Sequence, residues 1–459
     1  MIDTGPPPEP DSGPGCEPLG DEACNGIDDD CDGAVDEEPD TLCTLDRASA
    51  TCVEGTCTLA SCESGWGDCD GAEDTGCETG LGSDDAHCGA CGAACGAGEI
   101  CVGGACTGDL GRVAAGGAHT CLRQPGGAVR CWGANGVGQL GDGTTTGRTS
   151  PAPVSGLDDA WAVAAGDAHT CALRSGATVA CWGRNDFGQL GDGTTTSASA
   201  PIPVPGLTGA VDVAAGEGHT CVVTADGGAR CWGHNSRGQL GDGSTGDQSA
   251  PTAVGGLSDA IRISAGTAHT CALTAGRTVL CWGYNFYGQL GDGSGVQQNT
   301  PVAVAGLIDA VGLSVGNSHT CALRNSGSIV CWGRNHRGQL GDGSTGDRPR
   351  PGAAVAGLGP AAGVVPAGHD HVCAEGDAHA IHCWGRNDRG QLGDGTTDDR
   401  RTPVMPVLPG GAISLATGGA HTCAVDRAGT VSCWGANTDG QLGDGTTTDR
   451  PMPAPVALP

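Results

Sequence analysis

The string Cys-Trp-Gly recurs from Cys131, Cys181, Cys231, Cys281, Cys331, Cys383 and Cys433, at a spacing of 50 residues with one step of 52. Each copy continues into Gly-Gln-Leu-Gly-Asp-Gly, from Gly138, Gly188, Gly238, Gly288, Gly338, Gly390 and Gly440. Six copies are preceded by His-Thr-Cys; the sixth copy in chain order reads His371-Val372-Cys373. Repetition at this period restricts the chain to architectures that stack one supersecondary unit many times.

One unit reads as four short strands. In the second copy, Trp161–Ala165 is a short apolar run ending at a glycine. His169–Arg174 and Thr178–Trp182 flank Ser175-Gly176 and read as a hairpin, and a Gly/Thr turn over 188–196 leads to a Pro-bounded strand, Pro201–Val204. Four strands per unit, seven times, is the signature of a propeller. An open solenoid is the structural rival, but seven near-identical units without atypical caps favour a closed ring. The expected fold is therefore all-β, a seven-bladed β-propeller over residues 108–459, preceded by a disulfide-rich, mostly irregular module. Closure should bring the chain ends together, with Pro451–Val456 completing a sheet that contains the first or last copy. Gly, at 86 of 459 residues, disfavours a helical enzyme. No apolar run is long enough to span a membrane as a helix.

The pattern Gly-x-x-His-Thr…Trp-Gly-x-Asn-x-x-Gly-Gln-Leu-Gly over residues 110–459 resembles the repeat of the regulator of chromosome condensation family. That resemblance implies a seven-bladed propeller. It leaves function open, because members of one fold family bind different partners. It also raises a guanine-nucleotide exchange factor-like regulator as an alternative. Copies of 50 or 52 residues leave no room for an inserted wedge, and the cysteines point away from the compartment of small GTPases.

Cysteine supplies the compartment argument. Within each copy the two Cys are ten apart, centred on the predicted hairpin turn, so they should face one another on neighbouring strands. The expected disulfides are Cys121–Cys131, Cys171–Cys181, Cys221–Cys231, Cys271–Cys281, Cys321–Cys331, Cys373–Cys383 and Cys423–Cys433. Fourteen more Cys lie between Cys16 and Cys106. A region with so few large apolar side chains needs disulfide staples. Its expected parts are a Pro/Gly/Asp-rich linker at 1–20, an acidic motif at 21–39 and a Cys-rich module at 40–107. Cys88-x-x-Cys91 allows a zinc reading, which the surrounding cysteine density disfavours. An extracellular or cell-surface location follows, including outer-membrane lipoprotein or periplasmic forms. Residues 1–15 lack the apolar stretch of a secretory signal and suit a spacer behind a cleaved signal or lipid-anchored Cys.

Charge is split unevenly. Residues 1–107 carry 25 of the 53 acids and one Arg, net −24, against net −7 for the remainder. Bulk charge therefore disfavours binding to a phosphate backbone, and no nucleic-acid partner is expected. Asp28, Asp30, Asp32 and Asp36, with Gly33 between them, set oxygen ligands on alternate residues before a glycine turn, as a calcium loop requires. The wider string Cys24–Gly33 resembles a metal-binding motif of bacterial cell-surface proteins, linked to copper as well; carboxylates without nearby His or Met suit calcium.

Comparison among the seven copies separates scaffold from surface. The repeated Trp should pack between blades, the Asp of Gly-Asp-Gly should tie its turn, and the repeated His should bond backbone. A metal ring of seven His is a remote alternative. The positions that vary lie between Trp-Gly and Gly-Gln-Leu. Both Tyr, both Phe and six of the 22 Arg of the whole chain occur there. Arg184, Phe187, Arg237, Tyr284, Phe286, Tyr287, Arg334, Arg337, Arg386 and Arg389 form the expected partner-binding face, since such residues dominate interface hot spots. The expected molecule is a non-enzymatic, monomeric binding scaffold for an unknown protein, an enzyme inhibitor being one sub-case. A glycan-binding propeller is the alternative.

Overall fold

The computed structural model describes residues 111–358, 367–376, 380–408 and 411–458, together with short strands and isolated positions between 24 and 107. The chain divides into two compact units, Met1–Asp109 and Leu110–Pro459. No helix among the described residues is long and apolar enough to cross a membrane.

In the first unit, Ala48–Val53 pairs antiparallel with Thr56–Cys62, Trp66–Gly67 with Thr79–Gly80, and Ile100–Val102 with Ala105–Thr107. Cys52 and Cys57 oppose each other across the first hairpin, yet each bonds elsewhere, as Cys24–Cys52 and Cys43–Cys57. Cys62–Cys77 staples the far end. The zinc reading fails, because Cys91 is disulfide-bonded and has no thiolate to offer a metal. The Sγ atoms of Cys24, Cys43 and Cys57 lie within 4.8 Å of one another, and they too belong to disulfides. Asp28, Asp30, Asp32 and Asp36 lie outside the described residues.

The second unit is a seven-bladed propeller. Blade 2 runs Ala160–Ala165, His169–Arg174, Val179–Gly183 and Ala198–Pro203, in sheet order. These strands fall within one to three residues of the sequence expectation. The middle strands bury both faces because flanking blades cover them; every residue of Val179–Gly183 is buried. The outer strand is an edge, and there the prolines act usefully: Pro201 and Pro203 cannot donate to a further strand. Among the described residues blades 5 and 6 show three strands each: the outer position of blade 5 is reduced to the bridges Val330–Ala354 and Gly333–Arg348, and at the inner position of blade 6 Ala367 bridges Val372.

All seven intrablade disulfides are present, with Cys171 directly opposite Cys181 and the sulfurs fully buried in that blade. The core is a series of interblade seams. One holds Leu173, Val179 and Leu190 of blade 2 against Val213, Val222 and Trp232 of blade 3. Arg450–Pro455 completes the sheet of the last copy, so no strand is exchanged at closure. Val113, Leu122 and Trp132 instead pack on Val425, Val431, Leu442 and Val456, a seam like the others.

Polar bonds cross each seam in a fixed pattern. Each Trp indole N–H donates to the backbone carbonyl of the Gln in the preceding blade, at 2.9–3.0 Å, including Trp132 to Gln441 across the closure. Gly141 shows why glycine follows two residues after that Gln. A Cβ there would lie 2.7 Å from the Trp182 indole nitrogen, and its φ is +71°.

The repeated His corrects the sequence expectation. Its ring bonds not to backbone but to the Thr hydroxyl of the next blade, as in His169 Nε2 and Thr220 Oγ1 at 2.9 Å. That hydroxyl already donates to Gln189 O, so it must accept from His169, which fixes the Nε2–H tautomer. Six junctions carry this relay. The seventh cannot, because Val372 replaces Thr and leaves the buried His319 Nε2 without a partner. Burial holds the His169 imidazole down at about 3. The relay His act as interblade rivets, and among the described residues no three of their ring nitrogens come close enough together to share a metal ion.

Candidate functional site

The loop between each Trp-Gly and Gly-Gln-Leu is built from three repeated side chains. In blade 2, Asn185 Oδ1 accepts from Leu190 N, while its Nδ2 donates to Asp192 Oδ1 and to the Thr196 carbonyl. Gln189 Oε1 accepts from Phe187 N at 3.0 Å. Asp192 Oδ1 accepts from Thr194 N, and the same bond recurs in all seven copies at 2.8–3.0 Å. Asn, Gln and Asp satisfy the loop internally, leaving residues 184, 186 and 187 to face outward. The loop thus holds its backbone constant while three side chains vary.

These variable side chains connect blade to blade. Phe187 stacks on His234 of the next blade, ring centroids 4.3 Å apart. The Arg237 guanidinium lies 5.1 Å over the Tyr284 ring, and Arg334 lies 4.8 Å over the Tyr287 ring. Such cation–π contacts are each worth about 0.5–1 kcal/mol at exposed sites. Arg337 pairs with Asp399 at 3.0 Å and Arg389 with Asp449 at 3.1 Å. The third variable position of one blade therefore reaches a residue of the following blade, from blade 2 through blade 7. Within blade 4, Phe286 packs edge-on to Tyr287, centroids 5.1 Å apart, and is 69% exposed.

Of the ten expected residues, eight make the contacts of this arc, and Arg184 and Arg386 are held within their own loops. Arg184 is paired with Asp186, and Arg386 with Asp388. Burial pushes the Asp388 carboxyl up, but the Arg386 hydrogen bond and charge outweigh it and hold the carboxyl below its ordinary value. Val296, 62% exposed in the turn beside Phe286, extends the apolar surface of blade 4. Sequence comparison pointed elsewhere, because Val296 lies in the Gly/Thr turn rather than between the two repeated strings.

The ends of the inner strands meet at the same side of the ring, around a central cavity of about 80 Å³. Asp167, Glu217, Thr267, Asn317 and His369 line it, each following the glycine that ends its inner strand. Those glycines are needed for space. A Cβ on Gly166 would collide with the His169 ring and the Gly216 carbonyl. On the opposite side a bulge in the inner strand turns Trp161, Val211, Ile261 and Val311 outward, from 54% to 43% exposed. The sequence reading had placed Trp161 at the start of a strand without a surface role.

A profile described as an RCC1-like domain matches residues 195–459, more than half the chain. The chain belongs to the RCC1-like domain family. Regulator of chromosome condensation (RCC1) repeats match 112–139 and 162–189, and a further profile of that repeat matches 126–173. Human WBSCR16 is similar at 25% identity and a TM-score of 0.63, over 69% of this chain and 86% of that one. Yeast RCC1 (Prp20), solved bound to Kap60, is 22% identical with a TM-score of 0.64, over 72% and 84%. Prp20p from Saccharomyces cerevisiae, described with its binding to Gsp1p and histones, is 22% identical with a TM-score of 0.63, over 72% and 86%. At 22% identity these likenesses concern the fold. No curated protein matches the chain.

Proposed function

We propose that this chain is an extracytoplasmic protein-binding scaffold of bacterial type, with the variable loop face of the propeller as its binding surface. One observation carries the reading: seven loops that share the same core of internal bonds vary at three outward positions, and those of blades 2 to 6 link into one aromatic and cationic arc. Repeat folds present partners in this way, on a constant frame with changeable tips. Inhibition of a partner enzyme is a sub-case of the same reading. The location rests on cysteine chemistry, since no described cysteine is free and cytosolic thiols are kept reduced.

Replacing Tyr284, Phe286 and Tyr287 together by Ala should leave the folded state intact and abolish capture of the native partner. Circular dichroism checks the first outcome and affinity capture from surface extracts the second; undiminished capture would sink the reading. Glycan arrays separate a protein binder from a sugar binder. The Asp28, Asp30, Asp32 and Asp36 segment is a proposed calcium loop on ligand type alone. Calorimetric titration of the chelated protein with Ca²⁺ should give one saturable site, lost on Asp30→Asn.

A further inference from the structure

Two positions in the repeat act as acid slots for the arginines of the loop face. The first is the residue twelve after the loop Asn. Asp399 and Asp449 stand there in blades 6 and 7, and they receive Arg337 and Arg389 from the preceding blade. The second is the middle variable position. Asp186 and Asp388 stand there and neutralise Arg184 and Arg386 of their own loops.

Blade 4 holds no acid in either slot, and blade 5 keeps Asp347 in the first slot but lacks an acid in the second. The first slot of blade 4 holds Gln297, whose amide donates to Asn299 Oδ1 at 2.9 Å. Arg237, arriving from blade 3, meets no carboxylate there and stacks on Tyr284. The second slot of blade 5 holds His336. Burial first, then the charges of Arg334 and Arg337, lower its pKa and outweigh the opposing pull of Asp370 and Asp347. Arg334 stacks on Tyr287. Among the described residues no carboxylate pairs with Arg237 or Arg334. A third guanidinium, that of Arg350, lies against Gly293 of the blade 4 turn. Phe286 stands exposed against the two rings that Arg237 and Arg334 cover, and Val296 is exposed in the neighbouring turn of blade 4.

We infer that this notch of blades 3 to 5 binds an acidic peptide segment carrying an apolar side chain, seated on Phe286 between the two stacked guanidiniums. The inference rests on the reading that the loop face binds protein. Charge complementarity argues for the carboxylates, since guanidinium and carboxylate match in a bidentate fork. Phe286 and Val296 argue for a peptide over a sugar, because neither offers a hydrogen-bonding atom to a hydroxyl-rich ligand. The remaining arginines of the arc already hold their acids and would add little.

A displayed random dodecapeptide library, panned on the full oxidised chain, tests this. Enriched peptides should carry net negative charge and an aromatic or large aliphatic residue. Phe286→Ala should weaken their binding by about thirtyfold, the scale of a hot-spot side chain. Gln297→Asp with His336→Asp should weaken it by about tenfold while keeping both arginines and the rings of Tyr284, Phe286 and Tyr287, because each variant only fills a slot that other blades fill. Arg389→Gln, at a slot already neutralised, should change it less than twofold. Enriched peptides that depend on Phe286 but lack an acidic bias would overturn the acidic-segment inference and leave the protein-binding reading standing. Peptides indifferent to every loop-face variant, no enrichment at all, or retention of anionic glycans in their place would overturn both.

Discussion

At the scale of single residues, the one irregular junction is the most informative. His319 carries the same buried ring as its six counterparts, but Val372 offers no hydroxyl to accept its Nε2–H. An unmatched buried polar group costs about 1–3 kcal/mol. Val372→Thr should therefore stabilise the propeller by about 1 kcal/mol, because the new hydroxyl can accept from His319 and donate to the Gln339 carbonyl as its equivalents do. Denaturant titration checks this; equal or lower stability would show that the site has relaxed around valine. The sequence made this break visible, as His-Val-Cys among six His-Thr-Cys, but not its meaning. Repetition reveals that a residue is kept and says nothing of its partner, which here lies about 50 residues away.

At the scale of strands and loops, legibility followed the range of the interaction. Hairpins, intrablade disulfides and the Asp-pinned turns are local, and their spacing alone located them. The acid slots were hidden, because Arg337 meets Asp399 of the next blade, 62 residues away. Only the ring geometry shows that residue 449 faces residue 389. The last strand was anticipated as part of the closing sheet, and it lies in the sheet of the last copy itself. Removing residues 451–459 strips the edge of blade 7 and takes Val456 out of the closing seam, uncovering its neighbours there. Its loss should lower the melting temperature by more than about 5 °C, given a few degrees per kcal/mol for a unit this size. An unchanged melting curve would mean that the seam is held without it.

At the scale of the whole molecule, seven buried imidazoles act together. His119 and His319 are held at about 4, and His169, His219, His269, His371 and His421 at about 3, burial being the main cause. Depressed values mean that the unfolded chain, near 6.5, binds protons that the folded ring refuses. Stability should be full above pH 6.5 and fall as the pH drops toward 4, by on the order of 1 kcal/mol per ring between pH 7 and 5.5. Melting temperature measured across that window should decline steeply, and a flat profile would mean that the rings open to solvent without unfolding. The closing seam has a wider consequence. Trp132 and Thr120 bond Gln441 in the manner that every other blade bonds its predecessor, and no strand crosses the gap. The ring therefore has no privileged starting blade. Joining the propeller's ends and opening the chain in another interblade loop would give a cyclic permutant with the same seven junctions, differing only in which blade is translated first.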